Sequence, residues 1–208
     1  MPSFLKPSFV IESEIDGDAI LRRLEVCGRV CYKSEEKTTA DSASRFVLGL
    51  IKNGHESVLE HISVSVRIIC DRGVTHEIVR HRIASYSQES TRYCNYGDSG
   101  VQFIEPFFFA DNPEQLAVWT EAMYACEGAY LSLLSLGASP QEARSVLPNS
   151  TKTEIVMTCN LREWRHFFRM RTSKKAHPQM REIAVPLFEE FQKRFPVVFN
   201  DIIVPRGF

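Results

Sequence analysis

The sequence predicts an α+β fold in which helix outweighs strand. Apolar residues recur at helical spacing over several long stretches, as in "DGDAILRRLEVCGRVCY". Two segments, "HISVSVRII" and "TKTEIVMTCN", read as strands. The two kinds of segment mix without a regular strand–helix–strand rhythm, which favours an antiparallel or mixed sheet packed with several helices. With 208 residues and no repeat, low-complexity tract or linker, one domain over 1–208 is expected. Such a chain buries roughly 70% of its unfolded surface and needs no disulfide or metal staple.

Taken in order, "SFVIE" is a short strand. Ile20, Leu21, Leu24, Val26, Cys27, Val30 and Cys31 then recur close to helical period. "TADSASRFVLGLIKNG" is a second helix, with Thr39 or Asp41 as its N-cap and Gly54 as its stop. In "HISVSVRII", Ile62, Val64, Val66 and Ile68 alternate with Ser63, Ser65 and Arg67, the mark of a half-buried strand. "VTHEIVRHR" is a short helix running into a polar loop, and "VQFIEPFFF" is extended and bounded by Pro106. The stretch from Asn112 to Gly137 is a long helix, and "SPQEARSVLP" is another, opening on a serine cap with proline behind it. "TKTEIVMTCN" is a strand, "LREWRHFFRM" a helix, and Ala176 to Phe195 a helix that Pro186 should kink.

The net charge is −1, so any anion recognition must be local. The six cysteines form no C-x-x-C pair, and dispersed single thiols suit a reducing compartment. The apolar run in "MPSFLKPSFVIESE" is too short for a secretory core, and no stretch approaches a membrane span. A soluble, cytoplasmic protein is expected. None of the ten glycines forms a dinucleotide fingerprint or a P-loop, and no nucleophile elbow is present. "HESVLEH" is not the zinc-protease pattern: its histidines, His55 and His61, are six apart and would diverge by about 240° on a helix. No metal site is expected.

Two stretches carry concentrated chemistry. In "RHRIASYSQESTRY", residues 80 to 93, Arg80, His81 and Arg82 end a helix on which Glu77 and His81 would share a face. Arginine offers forked donors for phosphate or carboxylate, and Ser90 and Arg92 add a hydroxyl and another fork. From Asn160 to Arg181, seven basic residues face one acid, Glu163, a local +6 that argues for a bound anion. Trp164, Phe167 and Phe168 interleave with it, a pattern that also suits single-stranded nucleic acid, although the balanced total charge does not. Spacing alone leaves the ligand open.

"RHRIASYSQES" has the form R-H-R, seven residues, S, and so resembles the signature of flavin-dependent thymidylate synthases. "NGHESVLEH", "ARSVLP", "TCNLREW" and "MRTSKKAHPQMRE" resemble further blocks of that family in the same order, over roughly residues 45 to 195. The resemblance implies that His55, Ser57, Arg80, His81, Arg82, Gln88, Asn160, Arg162 and His166 contact FAD. It implies that Glu77, Arg80, Gln88, Glu89, Ser90, Thr91, Arg92, Arg144 and Arg171 hold dUMP. Arg171 would lie by the uracil ring and favour its ionised form, the catalytic role. Ser87, His166 and Lys175 depart from the residues commoner in the family at those places.

The implied reaction is reductive methylation: dUMP, 5,10-methylenetetrahydrofolate and NADPH give dTMP, with FAD carrying the redox chemistry. The resemblance further implies a homotetramer with shared active sites, and no nucleic-acid or membrane partner. Ser90 as a covalent nucleophile would need a base such as His81 within reach; gripping phosphate is the more natural role beside Arg92 and Gln88. Two other classes are conceivable. A single-strand-binding module would use Arg162 to Arg181 with Trp164 and Phe167, and a metal-dependent nucleotide hydrolase would use His55, His61, His76 and His81.

Overall fold

The computed structural model describes residues 1–205 and 207. Strands β1 (Ser3–Leu5), β2 (Ser8–Ile11), β3 (Ser63–Asp71), β4 (Ser85–Gln88), β5 (Gln102–Ile104) and β6 (Lys152–Asn160) are joined by helices without a βαβ rhythm. The helices are α1 (Gly17–Val30), α2 (Ser42–Lys52), α3 (Arg72–Ile78), α4 (Pro113–Ser135), α5 (Pro140–Ala143), α6 (Leu161–Arg171), α7 (Pro178–Arg194) and α8 (Pro196–Phe199). Helix outweighs strand, and the class is α+β. β1 pairs in parallel with β5, and the other four strands hydrogen-bond in the order β2-β3-β6-β4. None of the described helices is long and apolar enough to cross a membrane.

The period-two pattern of β3 and β6 explains their burial. Val64, Val66, Ile68 and Cys70 are buried on β3, and Thr153, Ile155, Met157 and Cys159 on β6. Polar residues of the opposite face pair across the strands: Ser65 with Thr158 at 2.7 Å, and Arg67 with Glu154 at 3.3 Å.

The chain forms two compact units. The first comprises Met1–Phe9, Arg67–Arg80 and Tyr86–Val156. Its core is Val101, Phe103, Met123, Tyr130 and Ala143, flanked by Phe4, Trp119 and Leu134. α4 starts where the Asn112 side chain accepts from the Gln115 N–H at 3.1 Å. It ends at Gly137, whose φ of 92° only glycine adopts without strain.

The second unit comprises Val10–Val66, His81–Ser85 and Met157–Phe208. Trp164, Phe167, Phe168, Phe191 and Phe199 are fully buried there, and burying each such ring stabilises the fold by roughly 1.5–3 kcal/mol. The Trp164 indole N–H donates to the Val64 carbonyl at 3.1 Å, so its one polar atom is satisfied inside the core. These aromatics are packing residues and offer no ring for stacking a base.

Four local expectations are corrected. α3 ends at Ile78 with Val79 as its C-cap, so Glu77 and His81 share no helical face. Ser85–Gln88 is a strand, not a loop; it takes its place in the sheet beside β6 although it lacks aliphatic residues. Past Pro106, Phe107–Phe109 turns into a 3-10 helix, the Phe109 N–H donating to the Pro106 carbonyl at 3.2 Å. α5 stops after one turn and tightens into a 3-10 turn over Arg144–Val146, because Pro148 pushes Leu147 to extended backbone. The helix expected over 176–195 is α7, Pro178–Arg194, with Pro186 inside it and Ile183, Ala184, Leu187, Phe188 and Phe191 buried on either side.

Candidate functional site

The C-terminus of α2 sets the position of His55. Gly54 takes a φ of 74°, its N–H donates to the Ile51 carbonyl at 3.0 Å, and the His55 N–H donates to the Leu50 carbonyl at 2.8 Å. This glycine-terminated cap delivers His55 to the start of a 3-10 turn, Glu56–His61. His55 Nδ1 lies 3.0 Å from the Tyr32 hydroxyl. His55 and Ser57, with Gly28, Tyr32, Glu56 and Arg162, line a cleft of about 420 Å³.

The junction of β6 and α6 supplies a second group. Asn160 is the N-cap of α6, its side-chain oxygen accepting from the Glu163 N–H at 2.9 Å, which leaves its NH₂ donors for a ligand. Arg162 donates to Glu60 at 2.6 Å, an exposed pair of little net worth whose guanidinium is easily transferred to a phosphate. Asn160, Arg162, Glu163 and His166 line a cleft of about 540 Å³ that shares Glu56 and Arg162 with the first. Polar donors of this kind beside two adjoining clefts fit a large dinucleotide cofactor with phosphate and amide acceptors.

His81 is 4% exposed. Its Nδ1 lies 2.8 Å from the Glu163 carboxylate, and its Nε2 accepts from Arg171 Nε at 3.0 Å. Burial first, then the nearby Arg171 and His166, hold the imidazole below its ordinary value, and the Glu163 hydrogen bond only partly opposes them. With both nitrogens engaged, His81 is not free to act as a base for Ser90. The possible ligand atoms of His81, Glu163 and His166 lie within 4.8 Å of one another, but Arg171 places a fixed positive charge on the same Nε2 and works against a cation there.

Three acids distant in sequence, Glu56, Glu60 and Asp201, balance about half of the local +6 of residues 160 to 181. Arg165, fully buried, donates to Glu56 at 3.0 Å, to Asp201 at 2.6 Å and to the Val198 carbonyl. Arg169 reaches Glu56 at 3.3 Å, and Arg181 holds the carbonyls of Thr172, Pro205 and Gly207. Burial would raise the Glu56 carboxyl, but Arg165 and Arg169 outweigh it and hold it below the usual range.

The first unit carries Glu77, Arg80, Gln88, Glu89, Ser90, Thr91, Arg92 and Arg144. Gln88 donates to the hydroxyls of Thr75 at 3.1 Å and Thr153 at 3.3 Å. Arg144 donates to the Thr91 hydroxyl at 3.3 Å, while Ser90 Oγ accepts from the Arg92 N–H at 3.3 Å. Arg80, Arg92 and Arg144 are exposed. Glu89 accepts from the Tyr96 hydroxyl at 2.7 Å and from Lys152 at 3.1 Å, and Lys152 also reaches Glu154 at 2.7 Å. Burial first, then Glu89, pushes the Tyr96 phenol up. Of the residues assigned to dUMP, Arg171 alone belongs to the second unit; of those assigned to FAD, Arg80 and Gln88 belong to the first.

Sequence reasoning missed Tyr96, Lys152 and Glu154 around Glu89, and it missed Glu163 beneath His81. The alternation of β6 was the available signal for Lys152 and Glu154, since it puts both on the polar side of a half-buried strand. Glu163 carried none, because its partner is 82 residues away.

Residues 17–197 match the family model described as thymidylate synthase complementing protein. A flavin-dependent thymidylate synthase of Mycolicibacterium vanbaalenii is 40% identical, over 94% of this chain and 84% of its own length. One of Geobacter sulfurreducens is 36% identical, over 85% and 79%. Among solved structures, a UMP/dUMP methylase, PolB, from Streptomyces cacaoi bound with 5-Br dUMP superposes with a TM-score of 0.81 over 95% of each chain at 23% identity, a shared fold. The chain belongs to the thymidylate synthase complementing protein family, and both relatives named above are flavin-dependent thymidylate synthases.

Proposed function

We propose that the protein converts dUMP to dTMP, taking the carbon from 5,10-methylenetetrahydrofolate and the reducing equivalents from NADPH through FAD. The observation that supports this most is the pair of adjoining clefts lined by His55, Ser57, Asn160, Arg162 and His166. These residues come from segments about a hundred positions apart, and the family resemblance names each of them as a flavin contact. When bound, FAD supplies hydride acceptance and donation.

The protein's residues bind and orient. Arg162, Asn160, His55, Ser57, Arg82 and His166 hold FAD, with Arg80 and Gln88, while His81, its ring nitrogens taken by Glu163 and Arg171, supports the set without a hydrogen bond of its own to the flavin. Arg80, Arg92 and Arg144 neutralise nucleotide phosphate, and Ser90, Thr91 and Gln88 add neutral hydrogen bonds. Glu77 and Glu89 complete the dUMP set; Glu89, held by Lys152 and Tyr96, orients neighbouring donors and is not itself a phosphate ligand. Arg171 stabilises negative charge on the pyrimidine as its C5 becomes nucleophilic. The protein works in the cytoplasm as a homotetramer with shared sites, so residues of more than one chain serve each ligand.

Flavin absorbance retained after gel filtration tests the cofactor assignment. The parent retains FAD and Arg162→Ala loses most of it; equal retention by both would remove the β6–α6 junction from the site.

A further inference from the structure

Glu163 has no part in the binding set above, yet it is 7% exposed and its carboxylate is committed to His81. At the third position of α6 an acid ordinarily closes a capping box on its own helix. Glu163 instead reaches a histidine 82 residues earlier, while the helix N-terminus favours its negative charge. On the other side of the same ring, Nε2 meets Arg171 Nε at 3.0 Å.

These contacts fix the proton on His81. An arginine Nε–H can only donate, so Nε2 must present its lone pair. The neutral ring then carries its single proton on Nδ1, where an ionised carboxylate can only accept. One tautomer satisfies both neighbours. Among the described residues, Glu163 and Arg171 are charged groups that face the ring, with His166 at 5.3 Å between ring centroids and Phe167 packed at 4.9 Å. An imidazolium would turn Nε2–H against the Arg171 Nε–H, two donors face to face.

We propose that Glu163 is a positioning residue: by locking the His81 tautomer it keeps Nε2 as an acceptor and so holds the Arg171 guanidinium in its working orientation. The catalytic consequence rests on the role proposed above for Arg171; the tautomer lock does not. Glu163 touches no substrate and acts through His81. Protonation of His81 undoes the lock, so Arg171 is released as the medium becomes acidic.

The test uses protein labelled with ¹⁵N-histidine, with the His81 signals assigned by their loss in His81→Gln. The parent at neutral pH is expected to show a protonated Nδ1 and an unprotonated Nε2. The Nε2–H tautomer in the folded parent would overturn the proposal without any variant. Glu163→Gln, whose amide can turn either face to the ring, is expected to mix the tautomers. It should lower kcat roughly ten- to a hundredfold, with the KM for dUMP changed far less. An unmixed Nδ1–H ring in Glu163→Gln, or an equal fall in kcat when Glu163→Gln is added to Arg171→Ala, would show that Glu163 does not act through Arg171. If Arg171→Ala alone turns over like the parent, the catalytic role of Arg171 falls, while the tautomer measurement still decides the lock.

Discussion

Arg165 lies fully buried on α6 with its Nη2 3.0 Å from the Glu56 carboxylate and 2.6 Å from Asp201. Glu56 stands between His55 and Ser57 in sequence, so this buried arginine anchors the 3-10 turn that carries both proposed flavin contacts. Removing it leaves Glu56 and Asp201 with Arg169 as their ion partner and opens space inside the second unit. Arg165→Ala should lower unfolding stability by about 3 kcal/mol, read from urea denaturation. FAD retention should fall with it; a loss of under 1 kcal/mol would mean that Asp201 and Glu56 are adequately solvated without it.

Phe168→Ala tests whether the aromatics of α6 are core. A fully buried phenylalanine packed on Trp164, Phe188, Phe191 and Phe199 should cost roughly 3–5 kcal/mol when truncated. A stable variant with altered oligonucleotide binding would restore the nucleic-acid reading.

Arg162→Ala should behave oppositely. Its pair with Glu60 is about half exposed on both sides, so stability should change by less than about 1 kcal/mol while flavin is lost. Parallel loss of stability and flavin would make Arg162 a structural residue.

Stability should fall with acid in two stages. His81 is held below the ordinary histidine value of 6.5 in the fold, foremost by burial. The unfolded chain therefore binds the proton first, and this contribution, full above 6.5, is lost as pH falls toward the lowered folded value. Glu56 and Asp201 lie below their ordinary values of 4.5 and 3.8, so their stabilisation is present above those values and is lost as pH falls through the lower, folded ones. A urea-midpoint profile should show both declines, and His81→Gln should remove the first only. A first decline unchanged in His81→Gln would assign it to another group.

The long elements were legible because each is decided by its own neighbours. β3 and β6 show their alternation in the sequence, and Gly54 and Gly137 mark their helix ends by a backbone conformation other residues avoid. β4 was not legible: "SYSQ" lacks aliphatic residues, and it becomes a strand only because the sheet offers it a partner. The ion partners of α6 were not legible for the same reason, since Glu56, Glu60 and Asp201 are distant in sequence. Residue types in the candidate site were readable from "RHRIASYSQES" and "TCNLREW", but the path from Glu163 through His81 to Arg171 exists only once the chain has folded.

The most direct test of the account is dTMP formation by purified protein given dUMP, 5,10-methylenetetrahydrofolate, NADPH and FAD, followed by chromatography. The predicted result is dTMP that appears with all four and disappears when either FAD or NADPH is left out. No dTMP from folded protein that retains FAD, or dTMP formed equally well after FAD has been stripped, would contradict it.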